Sequence, residues 1–134
     1  MDLNLSSKTA VVTGAGRGIG LSVVETLIGE GMRVIGATRT RSPELKDSGA
    51  HPVIVDLATA EGALELGKVA AAEFGAVDVL VNNVGGAEIG NHKPRGFLFA
   101  TDADWLNAFE INFLSAVRVT KALVPLLFQQ NRPA

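Results

Sequence analysis

The chain has 134 residues, of which 47% are apolar and 19% charged, the balance of one globular domain rather than a disordered segment. A net charge of −2 gives no electrostatic reason to expect nucleic acid or an acidic membrane surface as a partner. With no cysteine, disulfides, thiolate catalysis and thiolate-held metals are excluded, and no metal site is expected.

The first residues, 1–8, lack the apolar centre of a signal peptide. No uninterrupted apolar run of about 18 residues follows, so no membrane span is expected and a cytoplasmic location is. Thr9–Thr13 reads as a strand. Directly behind it, Thr13-Gly14-Ala15-Gly16-Arg17-Gly18-Ile19-Gly20 opens a helix over Gly18–Gly29, with Ile19, Val23 and Leu27 on one face. A strand that stops at a glycine-rich turn and re-enters as a helix builds a phosphate site. The first N–H groups of the helix have no internal partners, its dipole favours an anion, and side chains at the turn would hold a pyrophosphate away. The general dinucleotide spacing G-x-G-x-x-G fails, because Ile19 falls on its last glycine when counted from Gly14. The spacing T-G-x-x-x-G-x-G fits, with Gly14, Gly18 and Gly20 in register and Gly16 between them. In this strand-to-helix setting it predicts a nucleotide cofactor.

Gly29-Glu30-Gly31 closes the helix, and Arg33–Thr38 reads as a second strand. Residues 39–48, broken by Pro43, form a polar loop with room for one helical turn. Pro52–Val55 is the third strand, ending at Asp56, and Thr59–Phe74 a helix with Leu64, Gly67, Ala71 and Phe74 along one stripe. Val77–Val81 is the fourth strand, and its unbroken apolar end predicts burial on both faces. A long polar, glycine-containing stretch, 82–100, precedes Thr101, which caps the last helix, with Asp104 completing a capping box. That helix is expected over Asp102–Gln129. Trp105, Phe109, Phe113, Ala116 and Thr120 mark one face, and Leu106, Ile111, Leu114, Val117, Leu123, Val124 and Leu127 widen it. A helix so apolar is expected to be covered on two sides. Strand–helix alternation of this kind predicts an α/β fold: a partial Rossmann-like, doubly wound parallel sheet of four strands in the order 3-2-1-4, with helices on both faces.

Taken together, these residues resemble the short-chain dehydrogenase/reductase family of NAD(P)-dependent oxidoreductases over nearly the whole chain. Thr13–Gly20 is similar to the family's glycine-rich turn. The resemblance implies that Gly14, Gly16, Arg17, Gly18, Ile19 and Gly20 approach the pyrophosphate and ribose. Val55-Asp56-Leu57 resembles the end of the family's third strand, which implies an adenine contact for Asp56 and packing of Leu57 on the ring. Asn82-Asn83-Val84-Gly85 is similar to the family's N-N-A-G, with Val84 replacing the alanine, and implies cofactor contacts for Asn83, Val84 and Gly85. Asp56 and Asn83 also have a plain reading as strand-end caps. Glu110-Ile111-Asn112-Phe113 resembles the segment whose asparagine anchors a water linked to the catalytic lysine, which makes Asn112 the one catalytic position present.

After the second strand, a carboxylate would suit the ribose hydroxyls of NAD and an arginine the 2′-phosphate of NADP. Thr38 occupies that position, followed by Arg39, with Arg41 and Arg17 near. NADP(H) is therefore expected over NAD(H), the alternative being arginines that only solvate a loop. The family chemistry, hydride transfer between nicotinamide and a carbonyl or alcohol, uses a serine, and a tyrosine and lysine spaced Y-x-x-x-K after a fifth strand. There is no tyrosine here, and the sequence stops where that strand would begin. The chain is therefore expected to be a C-terminally truncated cofactor-binding domain, inactive alone. Its fourth-strand edge and last helix are left open to homo-oligomers or to a complementary C-terminal half. A non-catalytic dinucleotide-binding or pairing module, or a non-functional gene fragment, are the alternatives. His92 and Lys93 in the long loop, His51 at a strand start, and Lys121 on the last helix read as exposed or structural residues.

Overall fold

The computed structural model describes residues 1–86 and 97–129. Four parallel strands, β1 (Thr9–Thr13), β2 (Arg33–Thr38), β3 (His51–Ile54) and β4 (Val79–Val81), form one sheet in the order β3-β2-β1-β4. β1 is central, with Val11 opposite Ile35 of β2 and Leu80 of β4. All five of its residues are buried, as expected of a parallel strand covered on both faces. Strand alternation divides them between two cores. Ala10 and Val12 pack with Val24, Val34 and Leu45 beneath α1 (Gly18–Gly29) and α2 (Pro43–Asp47). Val11 packs with Ile35, Val53, Leu66, Val119 and Leu123 beneath α3 (Ala60–Phe74) and α5 (Ser115–Phe128).

Three of the helices begin where a side chain satisfies a free amide. Ser42 and Thr59 accept from Leu45 N at 3.1 Å and Gly62 N at 3.0 Å, starting α2 and α3. Thr101 and Asp104 form the expected capping box at the start of α4 (Asp102–Phe109).

Several elements differ from the sequence expectation. β4 starts at Val79 rather than Val77, because the Val77 amide donates to Leu126 O of α5 at 3.1 Å. Its three residues are only partly buried, since β4 pairs with β1 alone among the described residues. The inner stripe of α3 is Ala63, Leu66, Gly67 and Ala70, leaving Leu64 exposed. α3 is turned so that Gly67 faces α5, where a Cβ would come within 3.2 Å of Ala122 O. In α1, Ile19 is likewise exposed, and Gly20 and Val24 are the buried positions.

The last helix is not one regular rod. α4 and α5 are joined by a π-helical turn, Glu110–Leu114. Inside it the Asn112 side chain donates to Ala108 O at 2.9 Å, and directly after it Ser115 Oγ donates to Ile111 O at 2.6 Å. Both take carbonyls four residues back, the acceptors a regular α-helix would use, and so favour the local change of pitch. Asp102–Phe128 as a whole is long and apolar enough, by length and composition, to cross a membrane, a property that a search for uninterrupted apolar runs does not register. One face, Ser115, Val119, Leu123 and Leu126, is buried against α3 and the sheet. The opposite face, with Trp105, Leu106, Phe109, Phe113 and Val117, is exposed. Cover on the expected second side is therefore not supplied by the described residues.

Candidate functional site

The glycine turn sits at the C-terminal end of β1, between the ends of β2 and β4. Thr13 places a buried hydroxyl there, which accepts from Asn83 N at 2.9 Å and Val84 N at 3.2 Å. Asn83 Nδ2 donates to Gly14 O at 3.2 Å, so side chains from both strands tie the ends of β1 and β4 together. Gly14 has φ +61° and lies so near Asn83 that a Cβ would stand 2.9 Å from its carbonyl oxygen. A Cβ at Gly20 would fall on the Gly14 carbonyl oxygen, so only glycine lets α1 start this close to the strand end.

The outward side of the turn is built differently. Gly18 has φ +57°, and its missing side chain would meet nothing within 4 Å. Its neighbours Arg17 and Ile19 are exposed, and Arg17 is the N-cap of α1 without any side-chain cap bond. The head of a 12-residue helix thus faces outward beside a glycine, a geometry suited to a phosphate.

Gly16 joins the turn to the loop after β2. A Cβ there would come within 2.5 Å of Thr38 Oγ1, and the Gly16 carbonyl accepts from Ser42 Oγ at 2.6 Å. Thr38 Oγ1 donates to Thr40 O at 2.9 Å, and Arg39 and Arg41 are exposed on this loop. Ser42 is the residue that sequence reasoning missed. Its signal was legible, since Ser-Pro-Glu is a cap followed by proline at the first helical position.

Asp56 is exposed after β3, and its Oδ1 accepts from Ala58 N at 3.0 Å. Leu57 is 5% exposed and packed in the core under α3, so its side chain holds the turn in place and offers little surface to a ring. On the far side, Gly85 and Gly86 end the β4 segment. Asn112 holds them: its Nδ2 donates to Gly86 O at 2.9 Å, its Oδ1 accepts from Gly86 N at 3.0 Å, and a Cβ at Gly85 would lie 2.8 Å from that oxygen. Asn112 therefore joins α4–α5 to the β4 segment, and the structure brings it to the same sheet end as the glycine turn.

His51 is exposed at the start of β3, and Lys121 is exposed on α5. His92 and Lys93 lie outside the described residues. Asp102 and Asp104 occupy the first turn of α4, Asp104 within the capping box. No cluster of metal-ligating side chains occurs among the described residues.

The sequence model of the short chain dehydrogenase family matches residues 8–133. The chain belongs to this family. Among its curated relatives is an uncharacterized oxidoreductase of Mycobacterium tuberculosis, 35% identical over 95% of this chain and 49% of its own length. Another is the 3-oxoacyl-(acyl-carrier-protein) reductase of Escherichia coli, 33% identical over 96% of this chain and 53% of that enzyme. Among solved structures, the L-sorbose reductase of Gluconobacter frateurii, complexed with NADPH and L-sorbose, superimposes with a TM-score of 0.81 at 31% identity, over 95% of this chain and 50% of that one. The chain thus spans about half the length of the relatives it matches. Its four-stranded sheet in the order 3-2-1-4 and the surrounding helices are those of this Rossmann-like family.

Proposed function

We propose that these residues form the dinucleotide-binding part of an NADP(H)-dependent oxidoreductase. The observation that carries this reading is the outward side of the glycine turn, where the helix head and the bare Gly18 share the C-terminal end of the sheet with two exposed arginines after β2. A cradle with no side chain at its centre fits a pyrophosphate, and an arginine fork fits a phosphate dianion. On this reading the amides at the start of α1 hold the pyrophosphate. Arg39, with Arg41 near it, holds the ribose 2′-phosphate, and the turn at Asp56 meets the adenine. Asn83, Val84 and Gly85 border the cleft on the β4 side, with Asn112 fixing that border. When bound, the nicotinamide supplies hydride exchange with a carbonyl or alcohol. The likeness to a sorbose reductase that holds NADPH supports the choice of cofactor.

The 134 residues contain no tyrosine, the family's acid–base group, and this supports a chain that binds cofactor without turning it over alone. The test is a fluorescence titration with NADPH and NADH, using the chain and its Arg39→Asp variant. NADPH is expected to bind about tenfold tighter than NADH, and the variant to remove that preference. Equal binding of both, unchanged by Arg39→Asp, would overturn the NADP assignment. NADPH oxidation by the pure chain with any of a panel of carbonyl compounds would overturn the inactivity.

A second reading concerns association. β4 pairs on one side only among the described residues, and the stacked Phe109–Phe113 pair, 5.1 Å between centroids, is exposed on the outer face of the last helix. These features favour a surface that meets a second copy or a complementary C-terminal half.

A further inference from the structure

Arg118 has no part in the site as described so far, yet its guanidinium bonds to two separate pieces of that site. Its Nη1 donates to Ala58 O at 3.2 Å, inside the turn that carries Asp56. Nη1 and Nη2 both donate to Glu110 Oε1 at 3.1 Å, at the start of the π turn that carries Asn112. The Arg118 side chain is 28% exposed and that of Glu110 43%. As an ion pair on this half-open surface it contributes little to stability. Its interest is positional.

Glu110 and Arg118 would not meet on a regular helix. Eight residues at 3.6 per turn leave the two side chains about 80° out of line. The extra residue absorbed by a π turn brings them back to within about 20°. The pitch change at 110–114 therefore aligns Glu110 with Arg118 while it aims Asn112 at Gly86. On one side of the link, Ala58 N is held by Asp56 Oδ1, and Leu57 is locked in the core. On the other, Asn112 grips both polar groups of Gly86.

We propose that Arg118 is a positioning residue which, through Ala58 and Glu110, fixes the Asp56 turn and the Asn112–Gly86 lock relative to each other. It rests on the nucleotide reading above in one respect: the Asp56 turn is the adenine end of the cleft. Ligand held at that turn then orders the Gly86 end, which it does not need to touch.

The test is amide hydrogen exchange of the 134-residue chain, resolved by residue, with and without adenosine 2′-monophosphate, which lacks both pyrophosphate and nicotinamide. In the unaltered chain this probe is expected to slow exchange of the Ala58 and Gly86 amides together, each by about threefold or more. In Arg118→Met, which keeps an apolar stem, it slows Ala58 alone. Glu110→Ala, at a half-exposed position that does not threaten the fold, gives the same split while leaving the bond to Ala58. A merely structural role would speed exchange at both amides with or without the probe. Persistence of Gly86 slowing in both variants overturns the proposal, as does slowing at Ala58 without Gly86 in the unaltered chain. No slowing at Ala58 in the unaltered chain overturns the adenine reading itself, and this proposal with it.

Discussion

Two margins of the molecule are built on opposite terms. Toward α1, the turn from Thr13 to Gly20 is so tight that backbone meets backbone, and Thr13, Gly14 and Asn83 hold one another by hydrogen bonds that cross from β1 to β4. Toward the outer side of α4 and α5, Trp105, Phe109 and Phe113 stay more than half exposed, Trp105 edge-on to Phe97 and Phe109 stacked on Phe113. At the first margin, folding completes the surface from within, and what remains open is the bare Gly18 between the exposed Arg17 and Ile19. At the second, the chain buries one stripe of a helix and leaves apolar area of a kind that normally marks contact with another surface. On the proposed reading, cofactor contact falls where side chains are absent and association where they are largest.

If that contrast holds, a single methyl group should matter greatly at the first margin. Gly20→Ala puts a Cβ onto the Gly14 carbonyl oxygen, and backbone cannot swing aside as a flexible side chain can. We expect a loss of about 3 kcal/mol in urea unfolding and loss of cofactor binding. Gly29→Ala is the control. It lies at the end of α1 with open space around it and no positive φ, so the same change should be neutral or stabilise by up to about 1 kcal/mol. Equal effects at the two glycines would break the comparison. Next in size is Thr13→Val, which keeps the shape but leaves the amides of Asn83 and Val84 without their acceptor. The expected cost is about 2 kcal/mol, read by the same unfolding curves.

The first margin was far more legible in the sequence than the second. Glycine spacing after a strand rests on local rules and strand order on the handedness of the crossovers, and the structure has both; at the second margin the capping box at Thr101 was as legible. Which face of α3 points inward is not a local property. Leu64 fits a stripe as well as Leu66 does, and Gly67 against Ala122 decides between them. The same holds for β4. Its apolar run reads as a strand covered on both faces, while its burial depends on what lies beyond it in the sheet. The π turn was invisible for a related reason: it arises from Asn112 and Ser115 reaching back to carbonyls, and either residue is ordinary in a regular helix. Leu57 shows the limit for site residues, since its position beside Asp56 is clear in the sequence but its burial is not.

A smaller effect sharpens the contrast within the first margin. Ser42 caps α2 and donates to Gly16 O, so Ser42→Ala should cost about 1 kcal/mol. It should also loosen the arginine loop against the turn, weakening NADPH more than NADH in titrations; weakening both alike would separate Ser42 from the 2′-phosphate side.

The smallest effect on stability is expected at the second margin, and there its smallness is the point. Phe113 is 55% exposed and stacks on Phe109, which is 52% exposed. Phe113→Asp therefore removes little buried area, and unfolding of the dilute chain should shift by no more than about 0.5 kcal/mol. Association should respond far more strongly, because a carboxylate at the centre of an apolar contact must give up its water without a partner. Sedimentation of the unaltered chain over a range of concentrations should show self-association that the variant lacks. A chain that stays monomeric throughout would mean that this face is not used between copies. A variant that unfolds several kcal/mol more easily would mean that the aromatic pair belongs to the core after all, and the two margins would differ in degree rather than in kind.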